Sequence, residues 1–113
     1  MGGFFTIGQP MKALTETTLV RSEAAFQAQV EQLARLMGWK LYHTHDSRHS
    51  AAGFPDLVLV RASRLLFVEL KKDGKKPTPQ QQEWLDALCR VHGVEVYCWH
   101  PSDWDAVVAT LER

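Results

Sequence analysis

Gly53-Phe54-Pro55-Asp56-Leu57-Val58-Leu59-Val60-Arg61, followed at once by the second apolar run Leu65-Leu66-Phe67-Val68-Glu69-Leu70-Lys71, decides how this chain folds. Both runs have the length and the β-branched and aromatic content of strands, and Ala62-Ser63 between them leaves room only for a short turn. Side chains alternate along a strand, so Glu69 and Lys71, two positions apart, point to the same face. The second run is almost continuously apolar, as expected of a strand covered on both faces. A carboxylate inside such a run is costly unless something compensates it. Two carboxylates and an ammonium at strand ends can hold a hard divalent cation and keep one cationic donor free. Metal-assisted phosphodiester hydrolysis uses that combination. The competing reading is a hairpin whose rim carries ordinary solvated charges, and the apolar surroundings of Glu69 argue against it.

Upstream of this hairpin, a helix is expected from Ser22, with Phe26, Val30, Leu33, Ala34 and Met37 on one face and Gly38 just beyond its end. Glu23 falls in its first turn, where the helix dipole favours an acid in any case. Trp39 to His45 alternates as a first strand, and Asp46 to Gly53 is a small, polar loop. Asp56–Arg61 and Leu65–Lys71 are the second and third strands, and Lys72 to Lys76 is a basic loop centred on Gly74. Thr78-Pro79 opens a second helix: Thr78 suits the N-cap, Pro79 the first position and Gln81 the third, completing a capping box. Trp84, Leu88 and Val91 are its expected buried stripe, and Gly93 its end. Val94–Trp99 is a fourth strand, and Ser102 is expected to cap a last helix with Trp104, Val107, Val108 and Leu111 inward. The order α-β-β-β-α-β-α predicts an α/β domain with a mixed central sheet flanked by helices and a right-handed crossover between the last two strands.

A chain of 113 residues with 45% hydrophobic residues is sized for one globular domain. Residues 1–20 mix Gly, Thr and Pro without periodicity and are expected to form a loose arm, with residues 21–113 as the folded domain. Met1-Gly2-Gly3 fits an N-myristoylation pattern only formally. No apolar run approaches membrane-spanning length and no secretory leader is evident, so a cytoplasmic place and no membrane partner are expected. Cys89 and Cys98 are expected to be buried free thiols. The net charge is zero but unevenly spread. Residues 40–76 carry Lys40, Arg48, Arg61, Arg64, Lys71, Lys72, Lys75 and Lys76 against Asp46, Asp56, Glu69 and Asp73, a balance of +4 against −4 elsewhere. That concentration suits a polyanionic partner, with phosphates approaching near the acid–acid–lysine set.

Taken jointly, these features resemble the VRR-NUC family (virus-type replication-repair nucleases) of the PD-(D/E)xK nuclease superfamily. The resemblance runs over residues 22–100 and rests on Ser22-Glu23, Gly38-Trp39, Gly53-Phe54-Pro55-Asp56, Glu69-Leu70-Lys71 and Thr78-Pro79-Gln80-Gln81 with Trp84 behind it. It implies a divalent-metal-dependent DNA endonuclease. Stand-alone members of this size are similar to homodimers that cut branched DNA, notably four-way junctions. Longer relatives carry the domain as the catalytic end of a repair nuclease, and the expected setting is a bacterial or phage-infected cell.

On that resemblance Asp56, Glu69 and the Leu70 carbonyl are the expected ligands of Mg²⁺ or Mn²⁺, with Glu23 a further ligand, direct or through water. Lys71 would orient the attacking water or stabilise the phosphoryl charge. Gln81 has two open readings, the capping box and a place beside the site. Arg48, His49, Lys72, Lys75 and Lys76 are the expected phosphate contacts. His43, His45, Arg48 and His49 lack a Cys or His partner at zinc-finger spacing, so zinc is not expected, and His43 reads as a satisfied strand residue. Trp84, Trp99 and Trp104 are expected in the core or an interface, and Trp39 near the site entrance. The rival readings are a non-catalytic nucleic-acid-binding module on the same fold, and a flap, single-strand or restriction-type nuclease.

Overall fold

The computed structural model describes residues 22–44 and 51–113. The expected N-terminal arm, His45 at the end of the expected first strand, and Asp46, Arg48 and His49 of the loop after it lie outside the described residues.

Helix α1 (Glu23–Leu36) begins where Ser22 Oγ accepts the Ala25 amide at 3.1 Å. It ends at Met37, after which Gly38 takes φ +86° and the Trp39 amide donates to the Ala34 carbonyl. A side chain at that φ would be strained, so the glycine makes the exit possible.

Strands β1 (Lys40–His43), β2 (Leu57–Arg61), β3 (Arg64–Leu70) and β4 (Glu95–Trp99) form one sheet in that spatial order. The first two junctions are antiparallel and β3–β4 is parallel. A parallel pair needs a crossover, which α2 (Pro79–Cys89) supplies. A 3₁₀ turn (Pro101–Asp103) then leads into α3 (Trp104–Glu112). The mixed α-β-β-β-α-β-α domain expected from the sequence is the one found.

Leu57, Leu59, Leu66, Val68 and Leu70 alternate onto one face of the sheet, where Phe26 and Val30 of α1 and Val107 and Leu111 of α3 meet them. Fully burying such a side chain contributes roughly 1.5–3 kcal/mol, so this layer dominates the stability. On the other face Phe54 stands edge-on to Phe67 at 6.0 Å and to Trp84 of α2 at 5.1 Å. The third strand is therefore covered on both sides where it reaches Glu69, while Leu65 stays half-buried.

Four expectations need correction. Helix α2 stops at Cys89, so Val91 lies beyond it and is exposed, and Leu85 is the helix's buried residue, with Trp84 and Leu88 half-buried. Ser102 does not cap the last helix: its amide donates to Asp73 Oδ1 at 3.1 Å, and Asp103 precedes α3 instead. Both cysteines are free, but Cys89 is exposed and Cys98 half-buried.

Trp39, the fourth, is buried at the far end of the sheet from Asp56, where its indole donates to the Leu111 carbonyl at 2.9 Å. Arg61 and Arg64 lie over its ring at 4.5 and 4.9 Å. Arg61 also donates to the Met37 and Leu111 carbonyls, and Arg64 pairs twice with Glu95, each contact 2.7 Å. These guanidiniums satisfy helix-end carbonyls and an acid, so the indole is packed as core rather than placed at a cleft.

Candidate active site

The antiparallel register that sets Leu57 against Val68 puts Asp56 and Glu69 opposite each other one step on, where β2 begins and β3 ends. Asp56 Oδ2 accepts the Leu70 amide at 2.8 Å. In an extended strand the amide and carbonyl of one residue leave along the same edge, so the Leu70 carbonyl faces the Asp56 side as well. Just after β1, Thr44 donates its amide to the Asp56 carbonyl at 3.0 Å and its hydroxyl to the Pro55 carbonyl at 3.2 Å. These bonds fix the backbone that carries Asp56.

Gly53 presses the same segment onto α2. A Cβ there would lie 2.6 Å from the Gln80 carbonyl carbon and oxygen, and its φ is +86°. Only glycine fits, and the contact sets the loop before Asp56 against the first turn of α2. That turn holds the expected capping box: Thr78 N donates to Gln81 Oε1 at 2.8 Å and Gln81 N to Thr78 Oγ1 at 3.2 Å. Gln81 therefore caps the helix and also sits next to the segment that carries Asp56.

Glu69 is 1% exposed, and its Oε1 receives no hydrogen bond from any described donor. Lys71 Nζ lies 3.8 Å from the other oxygen, Oε2. Burial, and then the facing Asp56 carboxyl, push Glu69 up to about 8 despite Lys71. Burial raises Asp56 too, opposed by the Leu70 amide and seconded by the charge of Glu23, which also acts on Glu69. Exposed Glu23 at the start of α1 is thus near enough to be felt by both acids. His43 of β1 acts on Asp56 with the opposite sign, and its Nδ1 is 3.7 Å from Glu31. Across the parallel junction Glu69 pairs with Cys98, whose thiol is pushed up by burial and then by Glu69.

These donors fit a hard divalent cation. An unpartnered buried carboxylate oxygen beside a second carboxyl is satisfied either by a shared proton or by a cation. Among the described residues no group of three His, Cys, Asp or Glu side chains is arranged to hold a metal ion. Mg²⁺ needs no such cage, since it keeps several waters and takes one or two carboxylates. Asp56, Glu69 and the Leu70 carbonyl meet that requirement.

Of the residues singled out in the sequence, Asp56, Glu69, Leu70 and Lys71 come together, with Glu23 nearby and Gln81 on the adjoining helix. Lys72, Lys75 and Lys76 are exposed on the loop that leaves Lys71. Arg48 and His49 lie outside the described residues. The basic concentration is narrower than the sequence suggested, because Lys40, Arg61 and Arg64 stand at the opposite end of the sheet. Thr44 and Cys98 beside the site were missed, and only the strand register reveals them.

The VRR-NUC domain family model matches residues 8–103. The match reaches further back than the motifs alone, into the segment expected to be a loose arm. A solved structure described as a VRR-NUC domain protein superposes with a TM-score of 0.63 at 24% identity, covering 80% of this chain and 85% of its own. At that identity the likeness is one of fold. No curated protein matches the chain in sequence. The chain belongs to the VRR-NUC family, whose domain is a nuclease-type fold. DNA is the substrate such a domain implies, and no helix among the described residues is long and apolar enough to cross a membrane.

Proposed function

We propose that this chain is a divalent-metal-dependent DNA endonuclease that hydrolyses phosphodiester bonds and selects branched DNA such as four-way junctions. One observation carries the reading: facing Asp56 and Glu69, with a buried Glu69 oxygen that no described donor reaches and the Lys71 ammonium 3.8 Å from its partner oxygen. Asp56, Glu69 and the Leu70 carbonyl would hold Mg²⁺ or Mn²⁺, with Glu23 at the margin. When bound, the cation supplies Lewis-acid neutralisation of the phosphoryl charge. Lys71 orients the attacking water or offsets the charge that grows on the phosphoryl oxygens. Gln81 borders the site while it caps α2. Lys72, Lys75 and Lys76, with Arg48 and His49, contact backbone phosphates and so position the duplex without reading bases.

The described residues of one chain form one such site, and a junction needs two symmetric cuts. A C2 homodimer supplies the second, and light scattering of the purified protein tests it. The setting is the cytoplasm of a bacterial or phage-infected cell.

The discriminating experiment is cleavage of a matched panel, four-way junction, flap, duplex and single strand, with Mg²⁺ or Mn²⁺. Preference for the junction supports the reading, and preference for the flap or single strand replaces its substrate. Metal-independent binding without cleavage of any member leaves a DNA-binding module on the same fold.

A further inference from the structure

We propose that His100 is a positioning residue that holds the basic loop of residues 71–76 in the shape that meets DNA phosphates. The inference rests on the DNA-binding reading above and adds to it a residue on another element.

The loop begins with the Lys71 amide donating to the Trp99 carbonyl at 3.0 Å, the last ladder bond between β3 and β4. It then closes a turn, Lys75 N to Lys72 O at 3.1 Å, around Gly74 at φ +85°. A turn of exposed lysines is not held by burial, and like charges drive its side chains apart. Two long-range bonds hold it instead. His100 Nε2 donates to the Lys75 carbonyl at 2.7 Å, and the Ser102 amide donates to Asp73 Oδ1 at 3.1 Å. Both come from the turn that joins β4 to α3.

The imidazole is itself held in place. Asp103 Oδ2 accepts the His100 amide at 2.8 Å and lies 3.3 Å from Nδ1. The ring is about a quarter exposed, with a side-chain exposure of 26%, so it is clamped between an acid and a carbonyl rather than extended into solvent. A loop fixed in advance loses less conformational entropy when it meets a polyanion. The same bonds fix the direction in which Lys71 leaves β3. His100 thus couples the phosphate-facing loop to the strand that pairs with Glu69.

The test compares wild type with His100→Phe, which keeps a ring and loses the donor, and His100→Gln, which retains a side-chain N–H. Amide hydrogen exchange over residues 72–76 is read without DNA. Binding of a labelled four-way junction is then read without divalent metal, between about 50 and about 200 mM salt. For His100→Phe the expected result is faster loop exchange and a Kd raised about three- to tenfold. The slope of log K against log salt should also be shallower by about one phosphate equivalent. His100→Gln should restore most of the binding, and in cleavage the loss should fall on KM rather than kcat. Unchanged exchange, or binding equal to wild type with the same salt slope, would overturn the positioning role while leaving the DNA reading intact. A wild type that binds no DNA at any salt would overturn both.

Discussion

Asp56 and Glu69 face each other across the β2–β3 junction one step beyond the Leu57–Val68 pair, and the Asp56 carboxyl, after burial, raises the proton affinity of Glu69. A buried acid facing a half-buried one destabilises the fold whenever both are ionised, and a cation bound between them would remove the penalty.

A coupling between pH, metal and stability follows. Glu69 rises from an ordinary 4.5 to about 8 on folding. An acid raised on folding contributes stability that is fully present below its unfolded value and is lost as pH rises through the folded one. Without metal the protein should therefore lose stability progressively between about pH 4.5 and pH 8. Mg²⁺ bound at the proposed site would displace the proton, so its stabilising shift should be larger at pH 8 than at pH 5. Thermal melts with and without Mg²⁺ across this range read the effect, and equal shifts at both ends would contradict it.

Glu69→Gln removes the ionisation while keeping the shape. The variant should melt at or above wild type at pH 8 without metal, yet lose cleavage by about a thousandfold or more, as removal of several kcal/mol of charge stabilisation requires. A variant that cleaves within a few-fold of wild type would show that Glu69 is not a ligand.

Gly53→Ala tests the packing that seats Asp56. Its Cβ would lie 2.6 Å from the Gln80 carbonyl and adopt φ +86°. A cost of about 2 kcal/mol or more is expected, read as a melting temperature lower by about 10 °C. An unchanged melting temperature would mean that the loop does not press on α2.

At the other end of the sheet, the Arg64 hydrogen bonds hold Glu95 down to about 2. A carboxylate depressed on folding contributes stability above its unfolded value, here 4.5, and loses it as pH falls towards 2. Glu95→Gln should cost about 1 kcal/mol at neutral pH, discounted for partial exposure, and flatten the acid limb of the stability curve over that window. An acid limb identical to wild type would exclude the pair as its source.

What the sequence made legible was local. The Ser22 cap, the Thr78–Gln81 capping box, the Gly38 exit and the alternation through β2 and β3 depend on residues a few positions apart, and each is present. The meeting of Asp56, Glu69 and Lys71 was legible because a short hairpin fixes which strand ends are adjacent. The far side was not. Arg61 and Arg64 sit close to the site in sequence, but the hairpin turn carries them to the opposite end, where Trp39 and the α3 carbonyls engage them. The His100–Lys75 bond spans 25 positions, and nothing local marks either partner. Leu85 replaced Val91 in the buried stripe because the helix ends before the periodicity does.

The most direct test of the central claim is Mg²⁺- or Mn²⁺-dependent cleavage of a four-way junction by wild type beside Asp56→Ala and Lys71→Ala, with folding checked by circular dichroism. Wild type should cleave and chelation abolish it, and the folded variants should still bind the junction without cutting it. Cleavage retained by either folded variant, or by wild type in chelator, would contradict the claim.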